Sequence, residues 1–240
     1  MSPPPPTPFK PALLVVDLQE DFCPPSGALP VPNARDVIAP VNQLLSYPFA
    51  LKLATKDWHP PSHVSFAANH AGSPPPFVST TTIEHPLSAA HRYTTTLWPV
   101  HCVQHTRGSE FAAGFDCAKV DGTVHKGVDP RVEMYSAFCD PFRWTEAGAV
   151  SASGLEQRLK ALAITDVYVV GLAMDYCVKA TAEDAVAFGF RTWVVRDGTR
   201  AVGGEEGARK AEEEMVAKGI RVVSLGDESL GWVEALEASP

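Results

Sequence analysis

The chain has 240 residues, 45% hydrophobic and 20% charged, enough for one large domain with a sizeable core. Its formal net charge of −8 contains no block of like charge, which argues against nucleic acid or an anionic membrane surface as partner, since both reward Lys/Arg clusters. Five cysteines without a Cys-x-x-Cys pair argue against a disulfide framework and for a reducing compartment, and no apolar run approaches the ~20 residues of a membrane span.

Met1-Ser2-Pro3-Pro4-Pro5-Pro6 has neither the basic region nor the apolar run of a signal peptide. Residues 1–10 are expected to form a flexible proline-rich leader ahead of one domain spanning 11–240. Ala12 to Val16 is a continuous apolar run, the mark of a strand buried on both faces. From Asn33, a candidate N-cap, Val37, Ile38, Val41, Leu44 and Leu45 share one helical face. Leu51 to Thr55 reads as a second strand and Ala118 to His125 as a less apolar third. Ser153-Gly-Leu-Glu156 has the form of a capping box, opening a helix that carries Leu155, Leu159 and Leu162. Val167 to Leu172 is the clearest strand, and Cys177 to Phe188 then forms a helix that Gly189 is placed to end. Two more strands, Arg191 to Arg196 and Ile220 to Leu225, flank a helical stretch from Glu205 to Lys218. Two segments break the alternation and are expected as long loops or insertions. Residues 70–97 are rich in Ser, Thr and Pro, whereas 127–152 carry Tyr135, Phe138, Phe142 and Trp144 and read as pocket wall. Six strands with helices between them predict an α/β fold, a Rossmann-like three-layer α/β/α sandwich with a central, mostly parallel six-stranded sheet.

Ligands of open parallel sheets bind beyond the carboxyl ends of the strands. The first strand ends on Asp17, the second runs into Lys56-Asp57-Trp58-His59, the third into Lys126-Gly127, and the fourth leads through Gly171-Leu-Ala-Met-Asp-Tyr to Cys177. Each is a weak sign alone. A free cysteine is commonly a small buried hydrophobe, a lone lysine is usually solvated, and Asp17 could merely cap the Gln19-Glu20-Asp21 loop. An isolated Asp-x-His is more often a satisfied histidine beside an N-cap aspartate. Gathered on one rim, they point to catalysis. A helix start and a nearby cation both favour the Cys177 thiolate, and Asp17 stands where perturbed acids and bases are expected. Asp57 and His59 can face one cavity from an extended segment, with His101 of Trp98-Pro-Val-His-Cys102 as a third ligand. Three protein ligands with open positions suit a catalytic metal site. His63 is a further candidate ligand, whereas His70, His85, His91, His105 and His125 lack compact ligand spacing and read as surface or loop residues.

These residues resemble the nicotinamidase branch of the isochorismatase-like cysteine hydrolases, from about Leu13 to Val223. The matching segments are Val-Val-Asp17-Leu-Gln-Glu-Asp-Phe22, Thr55-Lys-Asp57-Trp-His59-Pro-Pro-Ser-His63-Val-Ser-Phe66, Leu97-Trp-Pro-Val-His101-Cys102, Lys126-Gly127, Tyr135-Ser-Ala-Phe138 and Gly171-Leu-Ala-Met-Asp-Tyr-Cys177-Val-Lys-Ala-Thr181. The Asp, Lys and Cys elements mark the wider hydrolases, and the Asp-Trp-His and Trp-Pro-x-His-Cys segments mark the metal-binding nicotinamidases. The proline-rich leader, the long 70–97 segment and Met174 depart from the pattern.

The resemblance implies a triad of Asp17, Lys126 and Cys177, with Asp57, His59 and His101 holding one divalent metal ion, zinc first and iron or manganese as alternatives. It implies a cis peptide at Leu172-Ala173 that aims the backbone N–H groups of Ala173 and Cys177 at an oxyanion, and a ring pocket lined by Phe22, Trp98, Tyr135 and Tyr176. The implied reaction, a step of NAD salvage, converts nicotinamide to nicotinate and ammonia through a cysteine thioester, the metal orienting the pyridine ring. Pyrazinamide is expected as a second substrate. No nucleic-acid or membrane partner is expected, a homo-oligomer is left open, and the expected compartment is cytoplasmic, with nuclear and peroxisomal sites left open. The Ala238-Ser-Pro240 ending is not a peroxisomal Ser-Lys-Leu signal. Three rivals remain: a sister amidase acting on a carbamoyl or ureido group, a hydrolase using metal-bound water as nucleophile, and a non-catalytic binding scaffold.

Overall fold

Pro11–Val16 (β1) is buried at every residue, as a continuous apolar run demands when both faces of a sheet are covered. The structure, a computed structural model, describes residues 4–236; the first three leader residues and the Ala238-Ser-Pro240 ending lie outside them. Ile38–Leu45 (α1) follows, then Leu51–Asp57 (β2), Thr80–His85 (β3), Ser88–Thr96 (β4), Gly122–Lys126 (β5), Leu155–Ala161 (α2), Asp166–Leu172 (β6), Lys179–Ala187 (α3), Arg191–Arg200 (β7), Gly204–Ala217 (α4), Arg221–Val223 (β8) and Glu228–Glu234 (α5). Six strands form one sheet in the order β5-β2-β1-β6-β7-β8, with every pair parallel. The expected sheet is therefore present, and wholly rather than mostly parallel. Alternate residues of β1 face opposite layers: Leu13 and Val15 pack with Val41, Leu44, Leu230 and Val233 of α1 and α5. Leu14 and Val16 pack with residues of α2, α3 and α4 such as Leu155, Ala182 and Met215. The chain builds outward from β1 through β2 to β5, then returns to β6 on its other side. That reversal makes a crevice between the ends of β1 and β6, where an open α/β sheet binds its ligand.

Several local expectations need correction. Asn33 does not cap α1; it is left-handed (φ 56°) and makes no side-chain cap. A 3-10 turn over Ala34–Val37 intervenes, and the α-helix starts at Ile38, with Pro40 in its first turn where a missing N–H costs nothing. The third strand starts later, at Gly122, because Cys117–Lys119 form a 3-10 turn and Asp121 bonds across to Lys52 through both backbone and carboxylate. Ser153 and Glu156 form no capping box. The Ser153 hydroxyl accepts from Leu155 N–H and donates to Ala137 O, while Glu156 pairs outward with Lys160. Leu162 lies beyond α2 and is exposed. Cys177 sits inside a π-turn, Met174–Val178, that leads into α3 rather than at the first α-helical residue. Gly189, with φ 92°, follows α3 as expected. The segment 70–97 contains an antiparallel hairpin of β3 and β4 outside the main sheet. His85 is buried at the end of β3, edge-on to Phe142, rather than at the surface.

Candidate active site

Asp17 follows β1, Asp57 ends β2, Lys126 ends β5 and Cys177 lies just past β6, so four parallel strands deliver four side chains to one rim. The structure brings together the three residues expected as a triad. Lys126 Nζ stands 2.8 Å from Asp17 Oδ2 and donates to Cys177 Sγ at 3.3 Å, to Asp57 Oδ1 at 2.5 Å and to Met134 O at 3.2 Å. Asp17 does not cap its loop. Its Oδ1 accepts from the Thr55 hydroxyl at 2.5 Å, and that hydroxyl oxygen accepts from Asp17 N–H at 3.0 Å. Asp17 Oδ2 pairs with the Lys126 ammonium, and the Asp17 carboxylate lies within 4.8 Å of the Cys177 sulfur.

Burial governs the protonation of this group. It raises the Asp17 carboxyl to about 6 against the pull of Lys126 and Thr55. It also pushes the Cys177 thiol well above its usual value, with Lys126 opposing, so the resting nucleophile is a thiol beside a base. Burial alone would lower Lys126, but Asp17 and Asp57 outweigh it and hold the ammonium charged. The π-turn does not make Cys177 a resting thiolate. In a dry site desolvation outweighs the attraction of one cation.

A small cavity opens above Cys177, lined by Phe22, Trp98, Tyr135, Tyr176 and Ala173 together with Asp57, His101 and Glu133. Phe22, Trp98, Tyr135 and Tyr176, the aromatics expected to line a ring pocket, all border this cavity. Trp98 Nε1–H donates to Tyr135 Oη at 2.9 Å, and Thr95 Oγ1 lies 2.9 Å from the same oxygen, which fixes the angle of the wall. Trp98 and Tyr135 both meet the Tyr176 ring, at 4.8 and 5.4 Å between centroids. The Leu172–Ala173 peptide is cis, as the resemblance implied.

One carboxylate oxygen and two imidazole nitrogens converge beside the cavity. Asp57 Oδ2 lies 3.7 Å from His59 Nε2 and 3.9 Å from His101 Nε2. All three residues offer ligand atoms within 4.8 Å of one another. The other ring nitrogens are occupied: His59 Nδ1 bonds Gly127 O at 2.9 Å and His101 Nδ1 bonds Pro99 O at 2.8 Å. A carbonyl partner holds a proton on Nδ1 and leaves Nε2 bare, which is how metal-binding histidines are oriented. The donor set therefore fits a divalent ion. His63 has neither nitrogen to spare, since Nδ1 bonds the Ser65 hydroxyl at 2.8 Å and Nε2 bonds Val132 O at 3.1 Å. Its ring still lies against His59, with centroids 4.0 Å apart.

Sequence reasoning missed Thr55, Gln19, Thr95 and Glu133. Glu133 is buried at the cavity wall and burial raises its carboxyl, while its Oε1 accepts from Met134 N–H at 2.9 Å. Gln19 and Thr55 left a trace only as members of the segments that carry the resemblance; Thr95 and Glu133 are ordinary until the fold assembles them.

Comparison with known proteins agrees with this geometry. The Isochorismatase domain model matches residues 75–227. A nicotinamidase of Acinetobacter baylyi is 37% identical over 89% of this chain and 92% of its own length. The structure of yeast nicotinamidase bound to the inhibitor nicotinaldehyde superposes with a TM-score of 0.81 at 34% identity, covering 89% of this chain and 99% of that one. The structure of Pyrococcus horikoshii pyrazinamidase in complex with zinc does so with a TM-score of 0.66 at 33% identity, covering 90% and 99%. The chain belongs to the isochorismatase-domain hydrolases, and within them to the nicotinamidase family.

Proposed function

We propose that this protein hydrolyses nicotinamide to nicotinate and ammonia through a thioester on Cys177. The observation that carries the reading is the buried Lys126 ammonium, within reach of Asp17, Asp57 and the Cys177 thiol at the floor of an aromatic cavity. Asp17 takes the thiol proton, and Lys126 balances the charge that develops between them. The sulfur attacks the carboxamide carbon, and the backbone N–H groups of Ala173 and Cys177 hold the oxyanion. Asp17 then delivers its proton to the departing nitrogen, which leaves as ammonia. Water, deprotonated by Asp17, attacks the thioester, and the sulfur recovers the proton as nicotinate forms. The substrate ring lies between Phe22, Trp98, Tyr135 and Tyr176, which exclude water and turn the carboxamide toward the sulfur.

Asp57, His59 and His101 hold one divalent ion, zinc by the match of a carboxylate and two imidazoles to its preferred ligands. When bound, that ion supplies a Lewis-acid contact for the pyridine nitrogen. Five free cysteines support a reducing, cytoplasmic setting, and no helix among the described residues is long and apolar enough to cross a membrane.

The test is ammonia release from nicotinamide by wild type and Cys177→Ala, each with and without a strong chelator. The variant should fall below a few per cent of wild type while folding normally. Turnover retained by Cys177→Ala and lost to the chelator would instead assign the nucleophile to metal-bound water. Wild type inert toward nicotinamide would sink the substrate assignment.

A further inference from the structure

β1 and β2 pair in parallel register from Ala12↔Leu51 to Val15↔Ala54 and no further. Asp17 adopts a positive φ of 45°, and Gln19 N–H turns back to Asp17 O at 2.8 Å, so the backbone leaves the sheet just where the catalytic groups begin. On its other side β2 stays paired to its end, with Asp57 in register with Lys126. The N–H and C=O of Asp57 that face the departed strand are buried, and such groups are costly without partners.

A side chain fills the place of the missing strand. Gln19 Oε1 accepts from Asp57 N–H at 2.9 Å, and Gln19 Nε2 donates to Asp57 O at 2.8 Å and to Ser109 O at 3.1 Å. Gln19 is completely buried. Its carboxamide presents an acceptor and a donor side by side, which is what the edge of a strand would offer. Thr55 does the reciprocal work, reading both the N–H and the carboxylate of Asp17 from β2.

Asp57 serves two masters: Oδ1 takes the Lys126 ammonium, and Oδ2 faces His59 and His101. Its carboxylate can satisfy both only if the backbone that carries it does not pivot. We propose that Gln19 is a positioning residue, whose amide clamps both backbone groups of Asp57 so that one carboxylate is held in register with the catalytic lysine and the metal ligands together. This role rests on the reading of the site given above. It assigns Gln19 no contact with substrate.

The clamp makes a prediction about metal retention that is independent of turnover. Gln19→Met keeps volume and loses all three hydrogen bonds; Gln19→Glu keeps an acceptor for Asp57 N–H and sets a second acceptor against two carbonyls. Full-length wild type and both variants are loaded with zinc alone and titrated with a chelator of known affinity. Both variants should lose zinc affinity by about ten- to a hundredfold, the usual cost of removing an outer partner of a metal ligand. With nicotinamide, KM should rise by a larger factor than kcat falls, because the thiol and its base remain in place. Thermal unfolding of the metal-free forms reports any purely structural loss. Variants that unfold more easily yet bind zinc and substrate like wild type would overturn the positioning role. If Gln19→Met does not fold, Gln19→Glu carries the same comparison. Wild type that binds no zinc, or releases no ammonia from nicotinamide, would instead defeat the reading of the site itself.

Discussion

Thr55 shows how one hydroxyl tunes a buried base. Its donated hydrogen bond favours the charged form of Asp17, whose carboxyl burial has already raised to about 6. A base must be ionised to take the thiol proton, so kcat/KM should fall as pH drops through that value, with an acid limb near 6. Thr55→Val keeps the shape and removes the hydrogen bond, which moves the Asp17 carboxyl further up and the acid limb to higher pH. The check is a pH profile of kcat/KM for wild type, Thr55→Val and Thr55→Ser. The serine variant should restore the original limb, and an unshifted valine limb would mean that Asp17 is not the base. Cys102 sits one residue from His101 and differs from Cys177 in its setting. It is fully buried, its thiol is pushed well above the usual range by burial and nearby carboxylates, and its sulfur lies 3.9 Å from Gly108 O.

The hairpin of β3 and β4 is an element whose work is done at the far end of its side chains. Thr95 on β4 reaches Tyr135 Oη, and Tyr93 on the same strand donates to Glu133 O at 3.0 Å and accepts from Glu133 N–H at 2.9 Å. The hairpin thus braces the stretch of the 127–152 connection that walls the cavity. Thr95→Val should loosen Tyr135 and, through it, the Trp98 indole. A wall that only positions the ring predicts a rise in KM of about three- to tenfold, consistent with one lost hydrogen bond of ~1 kcal/mol, and little change in kcat. Steady-state kinetics on nicotinamide checks it; a fall in kcat at constant KM would place Thr95 in the chemistry instead of the wall. The hairpin was missed in sequence because its strands are Thr-rich and mostly exposed or half-buried. Only Ile83, His85 and Thr95 are buried in it, so no apolar alternation announces it.

At the scale of the whole molecule, the two ends of the parallel sheet carry different duties. The carboxyl end holds the catalytic rim. At the amino end the leader returns to the domain: Phe9 packs edge-on against Trp232 beyond β8, Lys10 N–H donates to Thr165 Oγ1, and Arg191 bridges Asp166 and Pro8 O. Phe9→Ala removes partly buried apolar area far from Cys177. It should cost about 1–2 kcal/mol, a Tm fall on the order of 3–6 °C for a chain of this size, and leave kcat/KM within about twofold of wild type. Thermal unfolding with parallel kinetics would show it, and a matching loss of activity would mean that the two ends of the sheet are coupled.

By itself the sequence determined the alternation of buried strands and helices, and with it the parallel sheet, because a strand covered on both faces must be largely apolar, as β1 is throughout and β6 is after Asp166. It also determined which polar residues stand at strand ends, so Asp17, Asp57, His59, Lys126 and Cys177 could be read as one rim before any fold was known. Tertiary structure alone decided the rest. The strand order sets β5 beside β2, so that Lys126 meets Asp57, and β1 between β2 and β6, so that Asp17 and Cys177 share a crevice. It filled the gap left by β1 with Gln19, engaged both nitrogens of His63, and turned Thr55, Thr95 and Glu133 from ordinary polar residues into supports of the site. The physical reason is distance in the chain. Periodicity and capping act over a few residues, whereas a hydrogen bond such as Gln19 to Asp57 joins groups 38 residues apart and exists only once burial leaves them no water to bond instead.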